Sequence, residues 1–196
     1  MPALLLLAAG ASARMGRPKQ LLPYRGRTLL RHAAETAAAT GCAPLVLVTG
    51  ALHEELAAEV AGLPFRVVRN AAWETGMASS IRAGLAAVPP LAAVLIMLCD
   101  QPLVTTDLLR KLMAEQHRTQ APIVAAAYGD ALGVPAVFAP AVRPALLALH
   151  GAQGASRLIA GLGAAVGRVP FAEGLLDVDT TEEYNQLLAR TGTQVN

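Results

Sequence analysis

Seven consecutive apolar residues, Ala3 to Ala9, stop abruptly at Gly10, and this junction constrains the fold more than any other feature of the chain. A strand with one wet face alternates apolar and polar residues, so an unbroken run of this length reads as a strand buried on both faces of a parallel sheet. Such a sheet needs helices on each side. The run lacks a preceding basic residue and has only a strand's length, so it does not read as a secretion signal. It is far too short to span a bilayer.

The remaining sequence supplies the strands and helices that this reading demands. Thr28 precedes a helical stretch to about Thr40, closed by Gly41, and a strand is expected over Pro44 to Val48. A helix from about His53 to Ala61, a short strand from Phe65 to Val68, and a helix from about Ala78 to Val88 follow. Ala92 to Cys99 is the longest strand candidate after the first, and Thr106 or Asp107 can cap a helix to about His117. Strands are expected at Ile123 to Ala127 and Ala136 to Ala139, with helices near Pro140 to Leu149 and Ala155 to Leu162. Thr180 followed by Glu183 forms a capping-box pattern that opens a last helix to about Arg190. This alternation predicts βαβ units in an α/β fold with a mostly parallel sheet. Without a repeat or linker, residues 1–196 read as a single domain.

Charge narrows the class of partner. Sixteen basic and 14 acidic residues give a net charge of +2, and neither sign forms a run. A nucleic-acid or membrane surface is therefore not expected, and any anionic ligand must be held by a local site. The two cysteines, Cys42 and Cys99, are expected as free thiols in a cytoplasmic protein.

In open α/β sheets ligands bind beyond the carboxyl ends of the strands. Three segments belong there: Gly10 to Lys19, Cys99 to Pro102, and Asp177 to Thr180. The first contains two glycines and small residues whose amides can turn towards an anion, with Arg14 and Lys19 adding positive charge, or it is simply a tight solvated turn. Its glycine spacing fits neither a Walker A loop nor the dinucleotide fingerprint, which weakens a kinase reading. Asp100 can hold Mg²⁺ as a lone carboxylate or serve as a turn residue. Asp177 and Asp179 share a face if extended, and can supply a second carboxylate or start the last helix. Around the only tryptophan, Trp73, lies a Ser79-Ser80 pair that can hydrogen-bond a base or ribose or act as a cap. Cys99 reads as a buried strand thiol rather than a nucleophile, and His32, His53, His117 and His150 are too scattered for a metal cluster.

Taken together these segments resemble the MobA/MocA-like nucleotidyltransferases. The resemblance rests on Leu7 to Gly16 with Lys19 and Leu21-Leu22-Pro23, on Thr49-Gly50, and on Asn70 to Leu85. Cys99-Asp100-Gln101-Pro102, Gly133-Val134-Pro135 with Phe138, and Asp177-Val178-Asp179-Thr180 complete it. The motifs occur in the family's order and span nearly the whole chain.

The resemblance implies a Rossmann-like three-layer nucleotidyltransferase fold and transfer of a nucleoside monophosphate to the molybdenum cofactor. Ala8, Ala9 and Gly10 would contact the base and ribose, Gly76 and Ser80 the nucleoside, and Arg14 and Lys19 the triphosphate. Asp100 would ligate Mg²⁺, helped by Asp179 or Asp177. Ala8-Ala9-Gly10 resembles the cytidylyltransferase form, which favours CTP over GTP, with molybdopterin as the phosphorylated acceptor. A molybdoenzyme or a maturation chaperone is the protein partner such a role implies. One segment departs from the pattern: Gly151 to Ser156 lacks the acid and base of many cytidylyltransferase relatives, which leaves two other readings. These are transfer to a sugar or polyol phosphate, and a nucleotide-binding accessory protein without turnover.

Overall fold

The computed structural model describes residues 1–12, 15–175 and 177–192. The apolar run becomes strand β1, Ala3–Ala8, and every residue of it is buried. Burying each of its four leucines contributes about 1.5–3 kcal/mol. A two-residue hairpin, β2 (Pro23–Tyr24) with β3 (Arg27–Thr28), follows the first loop. Next come α1 (Leu29–Ala38), β4 (Leu45–Thr49), α2 (His53–Glu59) and β5 (Phe65–Arg69). Helix α1 is capped by the Thr28 hydroxyl, which accepts from the Arg31 amide at 3.0 Å. Its Leu30, Ala33, Ala34 and Ala37 face one core layer.

The second half runs α3 (Met77–Leu85), β6 (Val94–Leu98), α4 (Thr106–Thr119), β7 (Ile123–Tyr128) and β8 (Ala131–Phe138). It finishes with α5 (Arg143–Leu147), α6 (Ser156–Leu162), β9 (Val166–Pro170) and α7 (Thr181–Thr191). The strand order is β5-β4-β1-β6-β8-β7-β9, with β8 antiparallel to both its neighbours and the other pairings parallel. Alternate residues of β1 feed different cores. Leu4 and Leu6 join the layer with α1 and α4, whereas Leu5 and Leu7 join the layer with α3 and α6.

Three differences from the expected elements have local causes. Strand β8 starts at Ala131, not Ala136, because Gly133 pairs with Ala126 while Val134 and Pro135 bulge out between the two paired stretches. At eight residues β8 is the longest strand among the described residues, longer than β1, whereas the run expected over Ala92 to Cys99 forms only the five-residue β6. Strand β9 has no counterpart among the elements that the sequence predicts; its Val-Gly-Arg-Val-Pro sequence buries only Val166 and Val169. Thr105, rather than Thr106 or Asp107, caps α4, accepting from the Leu108 amide at 3.2 Å. The Thr106 hydroxyl instead donates to the Thr36 carbonyl. The capping box of Thr180 and Glu183 forms as the sequence predicts.

The path of the chain fixes where a ligand can sit. From β1 it moves outward to β4 and β5, then returns to place β6 on the other side of β1. This reversal leaves a crevice beyond the carboxyl ends of β1 and β6. Leu7 is in register with Leu98, so the loop that begins at Gly10 and the turn at Asp100 emerge side by side. Among the described residues no helix is long and apolar enough to cross a membrane.

Candidate active site

The loop after β1 is shaped by two residues in the left-handed region, Ser12 (φ 55°) and Gly16 (φ 66°). The Ser12 hydroxyl accepts from the Lys19 amide and donates to Gln20 Oε1, both at 3.1 Å. Gln20 is buried, and its side-chain amide donates to the carbonyls of Gly10 (2.6 Å) and Ala8 (3.3 Å). These bonds fold the loop back so that Lys19 stands over the end of β1. Arg14, expected at the triphosphate, lies outside the described residues.

Lys19 Nζ donates to Asp100 Oδ2 at 2.5 Å and to Asp179 Oδ1 at 2.6 Å. Asp179 reaches this point because the Val178 amide donates to the Asp100 carbonyl at 2.9 Å, fastening the segment before α7 across the end of β6. Burial alone would lower the Lys19 pKa. The charge and hydrogen bonds of the two carboxylates outweigh it and hold Lys19 above the ordinary lysine range. Asp177, two residues away, faces a different partner: its Oδ1 accepts from Gln101 Nε2 at 3.2 Å. Burial, then the Asp100 charge, push Asp177 up to about 6. The structure thus brings Lys19, Asp100 and Asp179 together and leaves Asp177 beside them.

Gln101 has no role in the sequence reading, yet it is buried and also donates to the Val134 carbonyl at 3.0 Å. It ties the Asp100 turn to the bulge of β8. The only sequence signal was its place directly after Asp100. Cys99 is buried, and burial together with the Asp100 charge push its thiol up to about 12. Both effects disfavour the thiolate that a nucleophile would need.

A cleft of about 270 Å³ opens beside these charges. Ala8, Ala9 and Gly10 form one wall, Trp73, Glu74, Gly76, Met77 and Ser80 the other, and Lys19 and Asp100 lie at one end. Gly50 makes this possible, because a Cβ there would collide with the Ala9 carbonyl and the Trp73 side chain. Asn70 orders the second wall by donating from Nδ2 to Ser79 Oγ (2.7 Å) and Ser80 Oγ (3.0 Å). The Ser79 hydroxyl donates onward to the Ala72 and Gly76 carbonyls, so Ser79 is committed to the fold while Ser80 lines the cleft. Gly76, not a serine, is the N-cap of α3, and its φ of 107° suits glycine alone. A larger hollow of about 480 Å³ lies behind the Asp100 turn, around His32, Leu103 and Phe171, away from the carboxylates.

The donors around Lys19 are suited to a hard divalent cation. Asp100 and Asp179 offer only oxygens, and Asp100 Oδ1 is buried without a hydrogen-bond partner among the described residues. Two carboxylates plus substrate phosphates are a common set for Mg²⁺.

Comparison with known proteins agrees with this fold. Residues 4–167 match the model of the MobA-like NTP transferase domain. The chain is 36% identical to nicotine blue oxidoreductase of Paenarthrobacter nicotinovorans, over 93% of this chain and 94% of that protein. It is 29% identical to the purine catabolism protein PucB of Bacillus subtilis, covering 92% and 93%. The crystal structure of Rv0371c from Mycobacterium tuberculosis superposes with a TM-score of 0.82 at 34% identity, covering 96% of this chain and 98% of that one. A second structure of that protein, in complex with manganese, superposes with a TM-score of 0.77. A doubly covered sheet, a ligand crevice at its switch point and a match over most of the sequence have one common conclusion: the chain belongs to the MobA-like nucleotidyltransferase family.

Proposed function

We propose that this protein is a cytoplasmic, divalent-metal-dependent enzyme that transfers CMP from CTP to the terminal phosphate of molybdopterin, releasing pyrophosphate. The observation that carries the reading is the convergence of Lys19, Asp100 and Asp179 at the end of a cleft walled by Ala8, Ala9, Gly10 and Ser80. A nucleoside fits the cleft, with its phosphates directed to the charged end. Asp100 and Asp179 would hold Mg²⁺, in keeping with the manganese complex of the mycobacterial neighbour.

In the reaction an acceptor phosphate oxygen bonds to the α-phosphorus as the bond to the bridging oxygen breaks and pyrophosphate leaves. Both reactants are anions, so alignment and charge neutralisation dominate the barrier. The metal, when bound, supplies Lewis-acid charge neutralisation. Lys19 neutralises charge on the departing pyrophosphate, with Arg14 assigned beside it by the family motif. The Gly10 loop orients the nucleoside, and Ser80 retains its own proton to donate into the cleft. No enzyme nucleophile is required, consistent with the burial of the Cys99 thiol.

The Ala8-Ala9-Gly10 motif favours CTP over GTP. A second reading, redox chemistry on a small molecule, follows from the name of the Paenarthrobacter relative; the glycine spacing of the first loop, which departs from the dinucleotide fingerprint, speaks against it. The deciding experiment follows pyrophosphate release with Mg²⁺ and each nucleoside triphosphate, with molybdopterin, sugar phosphates or polyol phosphates as acceptor. Release with CTP that requires molybdopterin is expected. Turnover only with another acceptor, or nicotinamide-dependent reduction without pyrophosphate, would replace the reading. Binding of CTP without turnover on any acceptor would make the protein a nucleotide-binding accessory factor.

A further inference from the structure

Among the described residues, the cation that sits between Asp100 and Asp179 is the protein's own Lys19. Lys19 Nζ touches one oxygen of each carboxylate, at 2.5 and 2.6 Å, and the side chains of Lys19 and Asp100 are only 16% and 13% exposed. We propose that Lys19 is a resident counter-ion that blocks the carboxylate pair in the nucleotide-free protein, and that a triphosphate must draw it away before Asp100 and Asp179 accept a divalent cation. This rests on the reading of the cleft as a nucleoside triphosphate site.

The physical reasons lie in the anchoring of Lys19 and in the charges it separates. The backbones that carry Asp100 and Asp179 are held side by side by the hydrogen bond from the Val178 amide to the Asp100 carbonyl, which keeps the two carboxylates close. Two partly desolvated carboxylates at such proximity need a positive charge between them. An ammonium within hydrogen-bonding distance of both oxygens keeps another cation off those same oxygens. The Lys19 backbone is fixed by the Ser12 hydroxyl, and its neighbour Gln20 is clasped to Gly10. What can move is the four-carbon stem, which carries a compact, rotatable charge. Gly10, Lys19 and Asp100 line one cleft, so a triphosphate seated there competes with the carboxylates for the same ammonium. Lys19 thereby makes metal binding contingent on nucleotide, so the two arrive together rather than metal first.

Metal affinity in the absence of nucleotide gives a readout independent of turnover. Binding of Mn²⁺ to the intact protein and to Lys19→Met is followed by the electron paramagnetic resonance of free Mn²⁺. If the seat is open in about a tenth of wild-type molecules, Lys19→Met binds Mn²⁺ about tenfold more tightly. The double variant Lys19→Met/Asp100→Asn loses this gain. Equal or weaker binding by Lys19→Met, or a gain that survives in the double variant, overturns the proposal.

A second measurement needs no variant. The Nζ resonance of Lys19 is followed by nuclear magnetic resonance in isotope-labelled wild-type protein, without metal, as inorganic tripolyphosphate and then CTP are added. A large shift of the Lys19 signal on binding is expected. Binding that leaves Lys19 in place removes the proposal alone, whereas failure of both ligands to bind removes the nucleotide reading and the proposal with it.

Discussion

The Gln20 side-chain amide donates to the Gly10 carbonyl at 2.6 Å, closing the first loop onto the end of β1 from a residue that is itself buried. Its second bond, to Ala8, and the bond its Oε1 accepts from Ser12 make Gln20 the internal fastener of that loop. Gln20→Ala leaves these groups without partners, at a cost of about 1–3 kcal/mol in chemical denaturation. Because the wall formed by Ala8 to Gly10 loosens as well, KM for the nucleotide rises. A variant with wild-type stability and KM would show that the loop holds its shape without the fastener.

Asp100→Asn keeps the side-chain volume but removes the charge that faces Lys19. Metal-dependent pyrophosphate release should fall by a factor of at least about 100, the order expected when one group that stabilises developing charge is lost. Near wild-type turnover would take Asp100 out of the mechanism. Lys19→Ala should lose both triphosphate affinity and rate.

The two adjacent serines make opposite predictions. Ser79 bonds to Asn70, Ala72 and Gly76, so Ser79→Ala lowers stability by about 1–3 kcal/mol through unsatisfied buried groups. Ser80→Ala leaves most of that network intact and removes a hydroxyl from the cleft wall. It should raise KM for CTP with a smaller change in the denaturation midpoint. Equal effects of the two changes on both measurements would refute the division of labour.

Gly76→Ala tests the join between the nucleotide cleft and the Gly151 loop. A Cβ at Gly76 would strike the Gly151 carbonyl, and its φ of 107° is unfavourable for any L-residue. The backbone strain alone costs about 1–3 kcal/mol. The bond from the Ala78 amide to the Gly151 carbonyl, 3.2 Å, would be displaced too. A lowered melting temperature and weaker nucleotide binding are expected together.

His32 gives a pH dependence away from the carboxylates. Its Nε2 lies 3.1 Å from the Pro102 carbonyl, which can only accept, so Nε2 carries the proton. Burial lowers its pKa from the ordinary 6.5. Near and below that pH the unfolded chain binds more protons than the folded one, so stability is present above pH 6.5 and is lost as pH falls through the depressed folded value. His32→Gln, which retains a donor for Pro102, should flatten this decline. Denaturation midpoints of both proteins between pH 7 and pH 5 check it, and parallel curves would rule His32 out.

The sequence by itself determined the elements with strong local signals and the segments that follow them. An unbroken apolar run must be a doubly buried strand, Thr28 and the Thr180-Glu183 pair mark helix starts, and residues after strands in such a sheet gather at one edge. Strand β9 was not legible because two buried valines around a glycine and an arginine carry little pattern, and the start of β8 was hidden by Pro135, which reads as a strand breaker until the bulge accommodates it. Gln20 and Gln101 look like ordinary polar loop residues; only burial turns them into fasteners. The tertiary structure alone decided that Asp179 rather than Asp177 meets Lys19, across 160 residues of chain. That choice follows from the order of β1 and β6 in the sheet and from one backbone bond between Val178 and Asp100, both long-range relations that no local pattern in the sequence encodes.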